Sequence, residues 1–113
     1  MKSKKIDISI VIVNYKVKEY IANLLNSLKK AQADFNLEIF VVDNDSQDNS
    51  VNYLRARYED VIYIENKENV GFGVANNQAI MQARGEFTLI INPDTLVSDC
   101  LLYTSDAADE GHC

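Results

Sequence analysis

Three polar positions in this 113-residue chain each follow directly on an apolar, largely β-branched run. Asp94 stands in Asn92-Pro93-Asp94, immediately after Phe87-Thr88-Leu89-Ile90-Ile91. Asp43 closes the run Glu38-Ile39-Phe40-Val41-Val42, and Asn14-Tyr15 closes Ile8-Ser9-Ile10-Val11-Ile12-Val13. In an open α/β sheet the carboxyl ends of the strands line the crevice where ligands bind. A carboxylate placed there can accept a hydrogen bond from a ring N–H or hold a hard divalent cation. Asn-Pro-Asp is also an ordinary turn, because proline fixes φ and Asn or Asp bonds its own backbone. The weight therefore falls on whether all three positions reach one crevice.

The elements between them predict that they do. Asp7 to Asn14 is nearly continuous in apolar character, as in a strand covered on both faces. Tyr20, Ile21, Leu24, Leu25 and Leu28 then recur at helical spacing, opposite Lys18, Glu19, Asn23, Lys29 and Lys30, which predicts a helix of about four turns. Glu38 to Asp43 reads as a second strand. Ser46 or Asp48 can cap a short helix carrying Val51, Leu54 and Tyr58, and Val61 to Ile64 is a third strand. After Asn69-Val70-Gly71-Phe72-Gly73 a helix with Phe72, Ala75, Ala79, Ile80 and Ala83 on one face runs to Gly85, a C-cap candidate, before the strand at Phe87. This β-α-β-α-β-α-β alternation at short spacing predicts an α/β fold with a parallel sheet and helices on its faces.

A chain of this length forms one domain, burying about two thirds of its unfolded surface. Its 11 basic and 17 acidic side chains give a net charge of -6, which argues against nucleic acid as a partner. The apolar stretch Ile8 to Val13 is too short for a signal core or a transmembrane segment, so a cytoplasmic location is expected. Residues 100–113 change character abruptly, and through Glu110 they resemble one reading frame of a transposon-type sequencing adapter. The native domain is therefore expected to span 1–99, with 100–113 a non-native tail left out of fold and function reasoning. Both cysteines and the single histidine fall in that tail, so no metal or thiol chemistry is built on them.

Four segments together resemble the GT-A glycosyltransferases of family 2, in particular the branch that includes rhamnosyltransferases. They are Ser9 to Tyr15, Val41 to Ser50, Asn69 to Asn77, and Leu89 to Thr95, in the family's order and on the expected elements. The resemblance implies the Rossmann-like, nucleotide-binding half of a GT-A fold, and a donor that is a dTDP- or UDP-linked sugar. Nucleotide contacts would come from Asn14, Tyr15, Asp43, Gly71, Asn76 and Asn92. A uracil or thymine ring presents an N3–H, and Asp43 at a strand end would accept it, an acceptor-only group that disfavours cytosine. A turn-shaping role for Asp43 is the alternative, with Ser46 and Asp48 already available for capping. Tyr15 offers a flat face for base or ribose, or else packs over the first helix. Gly71 and Gly73 let backbone and ligand approach closely at a helix start. They come too late in the chain, and lack the third glycine, for a dinucleotide fingerprint. Asp45 stands where the family often has a small residue.

Asp94 raises an electrostatic problem. A carboxylate about 4 Å from a diphosphate charge is repelled by roughly 4 kcal/mol per unit pair at an effective dielectric near 20. The four segments hold no Lys or Arg beyond Lys16 at the margin. A divalent cation, Mg2+ or Mn2+, resolves this, since it takes one or two protein carboxylates plus phosphate oxygens. The family motif is commonly Asp-x-Asp. With Asn92 in its first place, Asp94 is the expected metal ligand.

By the same resemblance the reaction is inverting transfer to a hydroxyl of a glycan or lipid-linked acceptor, in cell-surface polysaccharide synthesis, with the cytoplasmic face of the membrane as a compatible place for it. The family's catalytic base is an acidic residue in the second half of the domain, beyond the end of this chain, so no catalytic residue is named. The isolated chain is expected to turn over no sugar; acceptor-dependent release of nucleoside diphosphate would contradict that. A sugar nucleotidylyltransferase would carry a Gly-rich, Arg-containing loop where Asn14-Tyr15-Lys16-Val17 stands. A non-catalytic receiver-type module would need an acidic cluster near the first strand and a late lysine.

Overall fold

The computed structural model describes residues 5–32, 34–91, 101–104 and 111–112. Asn92 and Asp94 lie outside the described residues. The elements run β1 (Ile8–Asn14), α1 (Lys18–Ala31), β2 (Leu37–Asp43), α2 (Ser50–Arg57), β3 (Ile62–Glu65), α3 (Phe72–Ile80), β4 (Phe87–Ile91), β5 (Leu101–Thr104) and β6 (Gly111–His112). The sheet order is β3-β2-β1-β4-β5-β6. The first four strands are mutually parallel, so the predicted alternation and the Rossmann-like α/β class hold.

β1 lies between β2 and β4, and its alternating side chains serve two cores. Ile10 and Ile12 pack with Ile39, Val41, Ile21 and Leu25, beneath α1 and α2. Val11 and Val13 pack on the opposite face with Phe40, Val42, Ala75 and Ala79, beneath α3. Helices on both faces explain why the strand reads as continuously apolar rather than alternating. Each fully buried Ile or Val contributes about 1.5–3 kcal/mol relative to exposure.

The helices depart from the expected apolar stripes in instructive places. Tyr20 is 56% exposed, and only Ile21, Leu24, Leu25 and Leu28 of its predicted stripe face the core. On α3 the small residues Ala75 and Ala79 go inward, while Phe72 is 55% exposed and Ile80 also faces out. Alanines let the helix lie close to the sheet, and that closeness leaves the larger side chains no room inside.

α3 ends at Ile80, capped by Met81, and not at Gly85. Gly85 has a different job. A Cβ there would stand 2.5 Å from the Ser9 backbone nitrogen, 2.6 Å from its hydroxyl and 2.9 Å from the Ile8 carbonyl carbon. The Gly85 N–H donates to Ser9 Oγ at 2.8 Å, and Ser9 donates to Glu38 at 2.7 Å. Glu38 also accepts from the Arg84 N–H at 2.9 Å and its guanidinium at 3.1 Å. This buried cluster fastens the α3–β4 connection to the early rungs of β1 and β2, and so sets where β4 begins.

β5 pairs antiparallel with β4, Thr104 opposite Phe87, and β6 pairs antiparallel with β5. Part of the stretch set aside as a tail thus adds to the sheet. Strand addition at an edge needs only backbone hydrogen bonds and a β-prone run such as Leu101-Leu102-Tyr103-Thr104.

Candidate nucleotide-binding site

The carboxyl ends of β1 and β2 are bound to each other through side chains. Asn14 and Asp43 are register partners, and Asn14 Nδ2 donates to Asp43 Oδ1 at 2.7 Å and to Ser46 Oγ at 3.1 Å. Asn14 Oδ1 accepts the Val17 N–H at 3.2 Å, which turns the chain from β1 into α1. Asn14 is wholly buried, and both its donor hydrogens are engaged. Its side chain is therefore placed to hold Asp43 and shape the turn, with acceptor capacity left on Oδ1.

Ser46 does not cap α2. That helix has Asn49 at its N-cap with no side-chain cap bond, and Asp48 Oδ1 accepts the Ser50 N–H at 2.9 Å. A hydrogen bond from the Ser50 hydroxyl pulls the Asp48 carboxyl below the usual range, outweighing burial. Ser46 instead donates to Asp43 Oδ1 at 2.7 Å, and its N–H stands 3.4 Å from Oδ2. Asp43 thus shapes the turn and still retains acceptor capacity on Oδ2. It is 9% exposed.

Tyr15 is 46% exposed at the end of β1. Lys16 Nζ lies 5.3 Å from the Tyr15 ring centroid, placing one cation and one aromatic face at the end of β1.

Asn44 draws the third segment in. Its amide clasps the opposite loop like a strand partner, donating to Gly71 O at 3.3 Å and accepting the Val70 N–H at 3.0 Å. Asn66 and Gln78 exchange two 2.9 Å amide bonds, tying that loop to α3. Gly71 has φ 88° and ψ 161°, a region open essentially to glycine alone, where another residue is strained by about 1–3 kcal/mol. A Cβ on Gly71 or Gly73 would meet none of the described residues within 4 Å. Asn76, one turn in, is 5% exposed, and its buried Oδ1 has no hydrogen-bond partner among the described residues.

Asn14, Asp43 and Gly71 are thus brought together with Tyr15 beside them, and Asn76 lies near the start of the helix that Gly71 opens. The organising roles of Asn44, Ser46 and the Asn66–Gln78 pair were not visible in the sequence, since their partners lie 12 to 32 residues away. Among the described residues no group of three or more His, Cys, Asp or Glu could hold a metal ion, and no helix is long and apolar enough to cross a membrane.

Comparison with known proteins places this arrangement in context. The model of the glycosyl transferase family 2 domain matches residues 9–111. The chain is 33% identical over 104 residues to the uncharacterized glycosyltransferase YfnE of Bacillus subtilis, covering 90% of this chain and 26% of that protein. It is 37% identical over 101 residues to the poly(ribitol-phosphate) beta-glucosyltransferase of Bacillus spizizenii, covering 84% of this chain and 16% of that one. Among solved structures, residues 1–349 of Staphylococcus aureus TarS in complex with UDP superpose with a TM-score of 0.68 at 31% identity, over 78% of this chain and 27% of that one. The chain spans about a quarter or less of the length of these relatives.

Proposed function

The chain belongs to glycosyl transferase family 2, and from that premise we propose that it forms the donor-binding part of a glycosyltransferase that takes a pyrimidine nucleoside-diphosphate sugar. The observation that carries the reading is the Asp43 carboxylate, pinned on one oxygen by Asn14 and Ser46 and met on the other, among the described residues, only by the Ser46 N–H at 3.4 Å, at the carboxyl edge of a parallel sheet. Tyr15 would stack on base or ribose. Gly71 and the buried Asn76 Oδ1 would border the sugar-nucleotide, with Asn92 a hydrogen-bonding neighbour.

The relative solved with UDP supports a UDP-linked donor, and relatives named for poly(ribitol-phosphate) glycosylation support a cell-surface polysaccharide acceptor. A dTDP-rhamnose donor is the second reading, favoured by the Asn-Pro-Asp form of the motif. Inverting transfer would take place on the cytoplasmic side of the membrane, and the isolated chain, without a residue assigned as base, is expected not to turn over.

Asp43 is engaged by three donor groups of Asn14 and Ser46, and the described residues contain no ready metal cluster, so a cation here would depend on Asp94. Mg2+ and Mn2+ fit such a site because they accept one or two carboxylates and complete their shell with phosphate oxygens and water. When bound, the ion would offset the diphosphate charge and stabilise the departing nucleoside diphosphate. Calorimetric titration with UDP, with and without Mn2+, tests this. Binding should require the metal and fall at least tenfold in Asp94→Asn; UDP binding indifferent to both would overturn the metal role, and no binding at all would overturn the donor reading.

The domain boundary at Asp99, with 100–113 non-native, is likewise proposed, on the abrupt change of sequence character there. Genomic sequence read across that codon decides it.

A further inference from the structure

The hydroxyl of Ser46 sits where the ends of β1 and β2 meet. It accepts from Asn14 Nδ2 at 3.1 Å and from the Lys16 N–H at 2.9 Å, and it donates to Asp43 Oδ1 at 2.7 Å. A hydroxyl has one donor hydrogen and two acceptor lone pairs, so this one is fully engaged within the protein. Ser46 is also 1% exposed.

Backbone strain converges on the same atom. Among the described residues the non-glycine positions with positive φ are Lys16 at 60°, Asp45 at 62° and Gln47 at 57°. Lys16 donates its N–H to this hydroxyl, and Asp45 and Gln47 flank Ser46 in the chain. Such conformations persist only where the surroundings over-determine them, and they gather at ligand sites. Here the hydroxyl holds Lys16 directly, and the other two positions border the residue that carries it.

Its effect on Asp43 is asymmetric. Oδ1 receives two bonds of 2.7 Å, whereas among the described residues Oδ2 has only the Ser46 N–H at 3.4 Å. We propose that Ser46 is a positioning residue for base recognition, which with Asn14 saturates Asp43 Oδ1 and thereby presents Oδ2 to the imide N–H of a uracil or thymine ring. Ser46 touches no ligand itself. The assignment rests on the nucleotide reading above and explains how a carboxylate with no ion pair among the described residues can be aimed.

Titrating the full 113-residue chain with UDP and with CDP in Mn2+ buffer tests the assignment. Uridine carries a hydrogen on N3 and cytidine does not, so the ratio of the two affinities reads the direction of Asp43 rather than the integrity of the fold. The unmodified chain should prefer UDP, Asp43→Asn should lose that preference, and Ser46→Ala should shrink it about tenfold. Ser46→Cys preserves volume in this buried position while giving up most of the hydrogen bonding. It should show the same loss, and it stands in if the alanine variant fails to fold. A preference abolished by Asp43→Asn yet kept in full by the folded Ser46 variants overturns the positioning role alone. Equal weakening of UDP and CDP in those variants overturns it too, since that is what a purely structural serine would do. No UDP preference in the unmodified chain overturns the nucleotide reading, and the positioning role with it.

Discussion

Gly85→Ala should destabilise the domain by about 3 kcal/mol, at the upper end of what overpacking costs. The added methyl would meet the Ser9 nitrogen at 2.5 Å and the Ile8 carbonyl carbon at 2.9 Å. These are backbone atoms of the central strand, hydrogen-bonded on both sides to β2 and β4, so neither can yield without disturbing the sheet. The Ser9 hydroxyl at 2.6 Å would also be pushed off its bond to Glu38. Urea unfolding measures the effect as a lower midpoint at unchanged slope, because the surface exposed on unfolding stays nearly the same. A midpoint within error of the unmodified chain would show that the α3–β4 connection lifts away from β1 at no cost.

Glu38→Ala should be comparably damaging, again about 3 kcal/mol, because it leaves the Ser9 hydroxyl and the Arg84 N–H without their acceptor in a closed space. Little of this comes from the guanidinium, whose side chain is 74% exposed and screened by water. Burial alone would raise the Glu38 pKa. The Arg84 N–H, the Ser9 hydroxyl and the Arg84 side chain more than reverse that and hold it below its ordinary 4.5. A carboxyl whose folded-state pKa is depressed contributes stability that is complete above its unfolded value and is lost as pH falls through the folded one. Melting temperatures followed downward from pH 6 should therefore drop below about pH 4.5 in the unmodified chain, and drop less steeply in Glu38→Gln. Parallel pH profiles for the two would remove Glu38 from the account of acid sensitivity.

The sequence was most legible where a pattern is local. Strand alternation with helices, the parallel sheet, and the arrival of Asn14 and Asp43 at one edge follow from runs of β-branched residues and their spacing. It was least legible where a residue answers to something far along the chain. Gly85 looks like a helix C-cap because a helical pattern precedes it, but the reason for glycine lies 76 residues earlier at Ser9. Ser46 looks like an N-cap because a helix follows it, yet its hydroxyl bonds the end of a strand 32 residues back. Phe72 and Ile80 fit a helical stripe, and periodicity alone cannot say that the alanines of that stripe leave no depth for them. Asn92 and Asp94 lie outside the described residues.

The two polar rungs of the β1–β2 ladder have a bearing on how the sheet finds its alignment. Ser9 faces Glu38 near one end and Asn14 faces Asp43 at the other, with apolar pairs between them that would pack about equally well if one strand slid along the other by two residues. Such a slide keeps every side chain on its own face, so the hydrophobic cores alone discriminate against it weakly. It would, however, set Glu38 opposite Val11 in one direction or opposite Asp7 in the other, and in either case break Asn14 from Asp43. The buried polar pairs act as a two-ended gauge: only one alignment satisfies both, and that same alignment assembles the crevice.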